Sequence, residues 1–478
     1  MSGHDGTVEP VEAPDVPVGW QRWGVLLAAV LGTALAYMSD DMLNLAIPSV
    51  ARELNATAAG VQWIVNAYYV PLVAFVLVAG SVGDIVGHRR VFTAGLLLFC
   101  GGAAMCATAD DVGPLIAGRA LQGVASAMLL AAGLALVTLG NPAERRDRAL
   151  GQFFGLVAAV PALGPFLSGA LVDWLSWRWL FVVPLVLPLA ALAITRRLRE
   201  TPRATGRRPD LKGSLAALVM LCGISVALIL GPTQTSGIPA LVAAAVGGAA
   251  LVWFIRTERR ASDPLLPPAF FRRRQFVGAN VVWLLGCMTS WGAVFFLAVT
   301  LQTTMGLRPI AAGLLLTPIY LVMMVGSPLA GAIAGRVGRR RVIATGLAVY
   351  TAGLWLLSDI GSASTVPWGV LVPLAVVATG MAMFTAPLAA ATLSGLDEAD
   401  QGIASGVNNA MGQLAGLLAI IVLPALAGLA GAGSLGGAVL AEAYPQALRA
   451  AAVLAATGIP VALLTLPSRT DPTPAGDG

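Results

Sequence analysis

The sequence predicts an all-α, polytopic membrane protein of fourteen spans, grouped as six, two and six. Three observations carry that prediction. Of 478 residues, 57% are hydrophobic and only 11% charged, too little charge to cover the surface of a soluble domain. Apolar segments of about 20 residues recur along the chain, the length that crosses a bilayer as a helix. The cations gather in every second gap between those segments. Of the 29 cations, 28 are arginine and one is lysine, and 24 fall on one side by this reading. Arg52, Arg178, Arg308 and Arg449 fall on the other side, and Arg119 sits inside a span. Cationic loops stay on the cytoplasmic side during insertion, so the asymmetry both marks the spans and orients them.

The first six spans are read as Trp23–Pro48, Val61–Val82, Val91–Ala107, Val112–Leu139, Ala149–Val172 and Trp179–Thr195. A basic, proline-containing stretch, Arg196–Lys212, leads to two further spans, Gly213–Gly231 and Ile238–Ile255. A second basic linker, Arg256–Gln275, precedes Phe276–Gln302, Ala311–Gly335, Val342–Ser358, Trp368–Leu393, Gly402–Gly428 and Leu448–Leu466. Residues 20–195 and 276–467 are thus expected to form two six-helix bundles, with 196–275 supplying linkers and the extra pair. An even number of spans leaves both tails, 1–19 and 468–478, in the cytoplasm. Residues 1–19 are acidic and lack a cationic n-region or cleavage site, so they read as a disordered tail and not a signal peptide. Arg145, Arg146 and Arg148 follow span four, and only Asp397–Asp400 runs against the charge trend, its side being set by the loops around it.

Composition also excludes several classes. The net charge of +5 is dispersed over short loop clusters, not gathered in one patch, and argues against nucleic-acid binding. Cys100, Cys106, Cys222 and Cys287 lie in or against apolar segments without metal-site spacing and read as small core residues. There is no P-loop, no His/Cys cluster and no reachable Ser–His pair, so the chain reads as neither an enzyme nor a cofactor protein. Any work it does must draw on a gradient. Scarce lysine beside abundant Ala, Gly and Arg suggests a GC-rich bacterial genome.

The two bundles echo one another. Gly80–Arg90 (GSVGDIVGHRR) closes span two, and Gly331–Arg341 (GAIAGRVGRRR) closes span ten with the same glycine and basic spacing. Paired bundles facing a central cavity are a common plan for secondary transporters. In the first copy, Gly80 and Gly87 are expected to allow close helix approach and a tight turn. Asp84 can pair with arginines or cap a helix N-terminus, and Arg89 and Arg90 can bond helix C-terminal carbonyls. Together they read as a conformational latch.

Polar residues kept inside spans are the functional candidates. Arg119 lies seven residues inside span four, where a cation costs about 2.5–3.5 kcal/mol and needs a partner or a wet cavity. Asp40 and Asp41 are the carboxylates well inside a span, ~10 Å from its outer end, a depth similar to that of Arg119. An Asp–Arg pair between spans one and four is therefore expected. Thr33, Tyr37, Asp40, Asp41, Asn44 and Pro48 share one helical sector, and periodicity does not choose between the aspartates. With His4 in the tail and His88 in a loop, any proton carrier in mid-membrane must be Asp40 or Asp41. Movement of Arg119 relative to that acid would switch its affinity for protons.

Span five carries Pro161, Gly164, Pro165 and Gly169, a kink with a smooth face. Asn408, Asn409 and Gln413 form a polar patch on span thirteen that suits either cavity lining or interhelical hydrogen bonding. Gln122, Trp283 and Trp291 complete the cavity candidates, the tryptophans equally suiting packing or interfacial anchoring.

At this point the chain resembles the major facilitator superfamily, specifically its fourteen-span drug:proton antiporter branch. Gly80–Arg90 matches the family's loop motif. Ala117–Ala127 (AGRALQGVASA) matches its span-four motif, whose arginine, here Arg119, the resemblance implicates in proton transfer. Leu163–Gly169 (LGPFLSG) matches the span-five motif associated with export, and Leu175–Pro184 (LSWRWLFVVP) is similar to the stretch before span six. The extra pair within Gly213–Ile255 is what sets this branch apart from twelve-span relatives. One departure concerns span one: aligned on Ala46–Ile47–Pro48, the family's aspartate position holds Ser39 and its threonine position holds Asp41. The charged residue ahead of the closing glycine is Asp84 in the first loop copy and Arg336 in the second.

The resemblance implies a monomeric, proton-driven exporter of small organic compounds in the bacterial cytoplasmic membrane, moving drugs or antibiotics by alternating access. A dedicated exporter of an endogenous metabolite, such as a self-made antibiotic, siderophore or amino acid, would share these motifs. A non-transporting membrane sensor or scaffold is the remaining, remote alternative.

Overall fold

A computed structural model describes residues 20–141, 149–153, 155–157, 160–198, 211–230, 238–260, 270–360, 368–394, 398–429 and 437–467. The expected tails, linker residues 199–210 and 261–269, Arg145, Arg146, Arg148 and Asp397 lie outside the described residues. Regular structure among the described residues is helical throughout. The first half comprises α1 (Trp20–Glu53), α2 (Ala58–Val86), α3 (His88–Ala107), α4 (Val112–Leu139), α5 (Gly164–Trp174) and α6 (Trp179–Thr195). Then come α7 (Leu211–Leu230) and α8 (Ile238–Glu258). The second half comprises α9 (Arg274–Thr303), α10 (Pro309–Val337), α11 (Arg339–Ser358), α12 (Trp368–Leu393), α13 (Glu398–Leu426) and α14 (Gly437–Thr465).

Eleven of these helices are long and apolar enough to cross a membrane, and Trp179–Thr195 and Leu215–Leu230 are shorter apolar helices. Three boundaries differ from the sequence reading. α1 runs on through Pro48 to Glu53, because a proline removes only one ladder bond and Arg52 Nε donates to the Pro48 carbonyl at 3.1 Å. α14 begins at Gly437, eleven residues before Leu448, since its alanine-rich start favours helix and accommodates Pro445 and Arg449. The fifth span is interrupted: a 3-10 turn at Pro161–Leu163 precedes α5, as two prolines four residues apart dictate.

Small residues set the spacing within each half. α2 and α4 meet where a Cβ on Gly123 would fall on the Tyr68 carbonyl, and α3 meets α4 where a Cβ on Gly102 would lie 2.8 Å from the Gly118 carbonyl. In lipid, helix association depends on such close packing and not on hydrophobic driving force. The extra helices use the same device: a Cβ on Gly223 of α7 would lie 2.7 Å from the Gly247 nitrogen of α8. α7 rests on α2, while Leu241, Val242 and Val246 of α8 are exposed, as lipid-facing residues would be.

The halves join from mid-depth to the end opposite the α2–α3 turn. Gln302 Nε2 on α9 donates to the Leu45 carbonyl on α1 at 3.0 Å. Tyr69 on α2 and Trp291 on α9 have ring centroids 5.6 Å apart. At that far end each half is also tied internally. Glu53 accepts from Trp177 Nε1 at 2.7 Å and from Arg178, whose guanidinium lies 4.4 Å from the Trp177 ring. Arg178 also reaches the Ala109 carbonyl at 2.9 Å, and Arg449 pairs with Asp359 at 3.0 Å in the second half.

Replacing Gly123 with valine should force α2 and α4 apart. The expected cost is about 1–3 kcal/mol, read as a fall of several degrees in the thermal midpoint of the purified protein; an unchanged midpoint would contradict the packing.

Candidate functional site

Arg119 occupies the centre of the first half and is fully buried. Helix α4 presents it two turns in from its start, toward α1 and α2. Its Nη1 donates to Ser39 Oγ at 3.4 Å and to Gln122 Oε1 at 3.2 Å, and its guanidinium carbon lies 4.3 Å from the Tyr68 ring centroid. A planar cation over an aromatic face gains from the ring's quadrupole while keeping its edge for hydrogen bonds. Tyr68 is itself fixed, its hydroxyl donating to the Ala36 carbonyl at 2.6 Å and sharing a hydrogen bond with the Ser126 hydroxyl at 2.9 Å. Gln122, expected in the cavity wall, is 1% exposed and belongs to this arginine pocket, its amide oxygen facing Arg119 and the Cys106 thiol. The helical spacing of three residues explains the correction: Arg119 and Gln122 share one face of α4.

On α1, Tyr37, Asp41 and Asn44 are half-buried along one face. Tyr37 Oη donates across the halves to Asn409 Oδ1 on α13 at 3.3 Å. Asp41 lies beside α5, its Cβ 3.8 Å from where a Gly164 Cβ would stand. Ser39, the residue that meets Arg119, sits about 200° around the helix from Asp41. Asp41 and Arg119 therefore approach α1 from different sides, while the side chain of Asp40 lies outside the described residues. Thr33, expected in the same sector, is 4% exposed and faces another helix, against Gly133 of α4.

Two residues of the α13 patch make interhelical hydrogen bonds. Asn408 Nδ2 donates to Asn280 Oδ1 of α9 at 3.3 Å, within one half, whereas Asn409 bonds across the halves to Tyr37. Gln413 is buried one turn further along. Trp283 packs against Gly412, where a Cβ would lie 3.0 Å from the indole nitrogen, and Trp291 packs against Gly416 and Tyr69. Both rings therefore hold helices together.

The repeated turns have one backbone shape. Gly87 (φ 105°, ψ 127°) and Gly338 (φ 99°, ψ 134°) adopt the same positive-φ conformation, one that favours glycine. Gly80 does not mediate a close approach, since a Cβ there would meet nothing within 4 Å; the tight position is Gly83, directly against the His88 imidazole. Asp84 faces His88 Nε2 at 3.1 Å, Arg89 Nε donates to the Thr195 carbonyl at the end of α6 at 2.9 Å, and Arg90 is exposed. In α5, Gly164 lies on α1, Ser168 Oγ donates to the Met42 carbonyl at 2.5 Å, and Pro165 and Gly169 face α10. A Cβ on Gly169 would lie 2.8 Å from Ile310 Cα, and one on Gly313 would strike the Pro165 carbonyl. Pro161 begins the preceding 3-10 turn.

The family model described as Major Facilitator Superfamily matches residues 29–420. The chain belongs to that superfamily. Among its relatives, the tetracenomycin C resistance and export protein of Streptomyces glaucescens is 28% identical over 88% of this chain and 79% of that protein. The cephamycin export protein CmcT of Amycolatopsis lactamdurans is 32% identical over 94% of each chain. In fold, the chain is similar to a bacterial homologue of the human lysosomal transporter Spinster, solved in an inward-facing, unoccupied conformation. That likeness has a TM-score of 0.66 at 14% identity and covers 93% of this chain and 97% of the other.

For a superfamily member, the pocket residues that sequence reasoning missed are Ser39, as a contact of Arg119, and Tyr68. An aromatic in an apolar span gives no signal of its own; only the facing positions of α2 and α4 reveal it. Tyr68→Phe should remove two buried hydrogen bonds and cost about 1–2 kcal/mol. Thermal unfolding checks this, and a midpoint equal to that of the parent protein would show that the hydroxyl does not brace the pocket.

Proposed function

We propose that this superfamily member is a proton-coupled exporter of small organic compounds, working by alternating access in a bacterial cytoplasmic membrane. The observation that carries the reading is the Arg119 pocket. A fully buried cation contacts α1, and the other face of that helix bears Asp41 and touches the second half through Tyr37 and Asn409. A proton arriving at Asp41 or Asp40 would change the charge on α1, and a shift of α1 would be felt both by Arg119 and across the halves. The carrier is one of these two aspartates. Fourteen spans, cytoplasmic termini and a monomeric unit complete the proposal, following from the arginine distribution and the paired bundles.

Export, as opposed to uptake, is supported by the relatives named for antibiotic export and resistance. The contacts between halves support a state closed at the far end. The name of the cephamycin relative favours a second reading, export of one dedicated metabolite.

Everted vesicles with an imposed pH gradient test the proposal against a panel of cationic, neutral and anionic drugs. Addition of a substrate should collapse the gradient. Asp41→Asn and Arg119→Ala should each cut that response at least tenfold while the protein still inserts. Undiminished efflux in both variants would remove the coupling pair; no response across the panel from folded protein would favour the dedicated exporter.

A further inference from the structure

Four arginines stand at the far end of the molecule, and their bonding divides them sharply. Arg52 bonds back to Pro48 and Ser49 of its own helix. Arg178 pairs with Glu53 and Asp110, and Arg449 with Asp359, each inside its own half. Arg308 alone among the four reaches across: its Nη2 lies 2.8 Å from Asp173 Oδ2 and its Nε donates to Oδ1 at 3.2 Å. Asp173 belongs to α5 of the first half, and Arg308 is the N-cap residue of α10 in the second.

We propose that Asp173 and Arg308 form a charge latch that holds the far end closed and must break each time it opens. The inference rests on the alternating-access reading above. Pro165, Gly169 and Asp173 follow one another at intervals of four residues, so they form a single stripe on α5. Their partners fill the first turn of α10: Gly313 against Pro165, Pro309 and Ile310 against Gly169, and Arg308 against Asp173. The first two contacts bring backbone against backbone. Only the ion pair at the rim supplies a directional bond, and the positive end of the α10 dipole favours the same carboxylate.

The two partners differ in a way that makes the latch testable. In the closed state the Asp173 side chain is only 9% exposed, whereas that of Arg308 is 71% exposed. Removing the guanidinium strands a shielded carboxylate in the closed state, which opening would return to water. Removing the carboxylate charge leaves an arginine that water already solvates, so less is lost. Arg308→Gln should therefore favour the open far end more than Asp173→Asn. A structural tie that does not gate would show no such ordering in state populations.

The test uses the full chain in lipid nanodiscs, with Cys100, Cys106, Cys222 and Cys287 replaced and spin labels at Thr108 and Leu356, one in each half. Distance distributions between the labels report far-end opening, and thermal unfolding confirms that each variant is folded. Arg308→Gln should raise the open-to-closed ratio about tenfold and Asp173→Asn about two- to threefold. The double variant Asp173→Arg with Arg308→Asp should return toward the parent distribution. Single variants indistinguishable from the parent, a reversed order, or a swap no better than the worse single variant would each overturn the latch. If the parent distribution itself never responds to pH or to any drug of the panel, the alternating-access reading fails instead.

Discussion

A guanidinium in the hydrocarbon region must be met on every side, and much of the first half is arranged to do so. The flat face of Arg119 is met by the Tyr68 ring, and its Nη1 edge by Ser39 and Gln122. Each of those groups is fixed in turn, Tyr68 by Ala36 and Ser126, Gln122 by its place one turn along α4. Gly123 then has to be glycine, because α2 can bring Tyr68 to the arginine only if α4 presents no side chain beneath its carbonyl. Three helices thus owe their spacing to one cation. That need also makes α1 the helix through which charge in the first half can reach the second.

The two halves share a backbone plan and diverge in chemistry. The positive-φ turns at Gly87 and Gly338 have one backbone shape, yet Asp84 faces His88 in one while Gly335 occupies the matching place in the other, with Arg336 beside it. At the far end an arginine pairs with a carboxylate after the third helix of each half: Arg178, just before α6, with Asp110, and Arg449, within α14, with Asp359. The first half adds Glu53 and the Trp177 ring to its tie. These ties join helices within each half and none of them crosses to the other.

The helices were legible because lipid imposes length and hydrophobicity on every span. Boundaries were less so: Pro48 and Pro445 look like breakers but sit within helices whose remaining ladder bonds suffice. Arg119 stood out as a charge where charge is costly, while its partner Tyr68 did not, since a tyrosine among apolar residues is ordinary. Gly80 misled for a related reason. Spacing along one helix gives a face, but which neighbour fills that face depends on the packing of the others. Asp173 and Arg308 gave no signal, since each reads as a solvated charge at a membrane edge until α5 and α10 are brought together.

That juncture shows how a transporter can be both tightly closed and free to open. Side chains that interdigitate across the halves would have to withdraw past one another, crossing high barriers in a medium packed as densely as a crystal. Glycine and proline at Pro165, Gly169, Pro309 and Gly313 give instead a smooth, close contact between backbones. Smoothness alone gives little preference for one register over another. A single ion pair at the edge supplies it, because two charges in bonding geometry define where α5 and α10 must stop, and water can take over both charges once they part. Closure by backbone and registration by charge are thus separate properties, carried by different residues of one stripe.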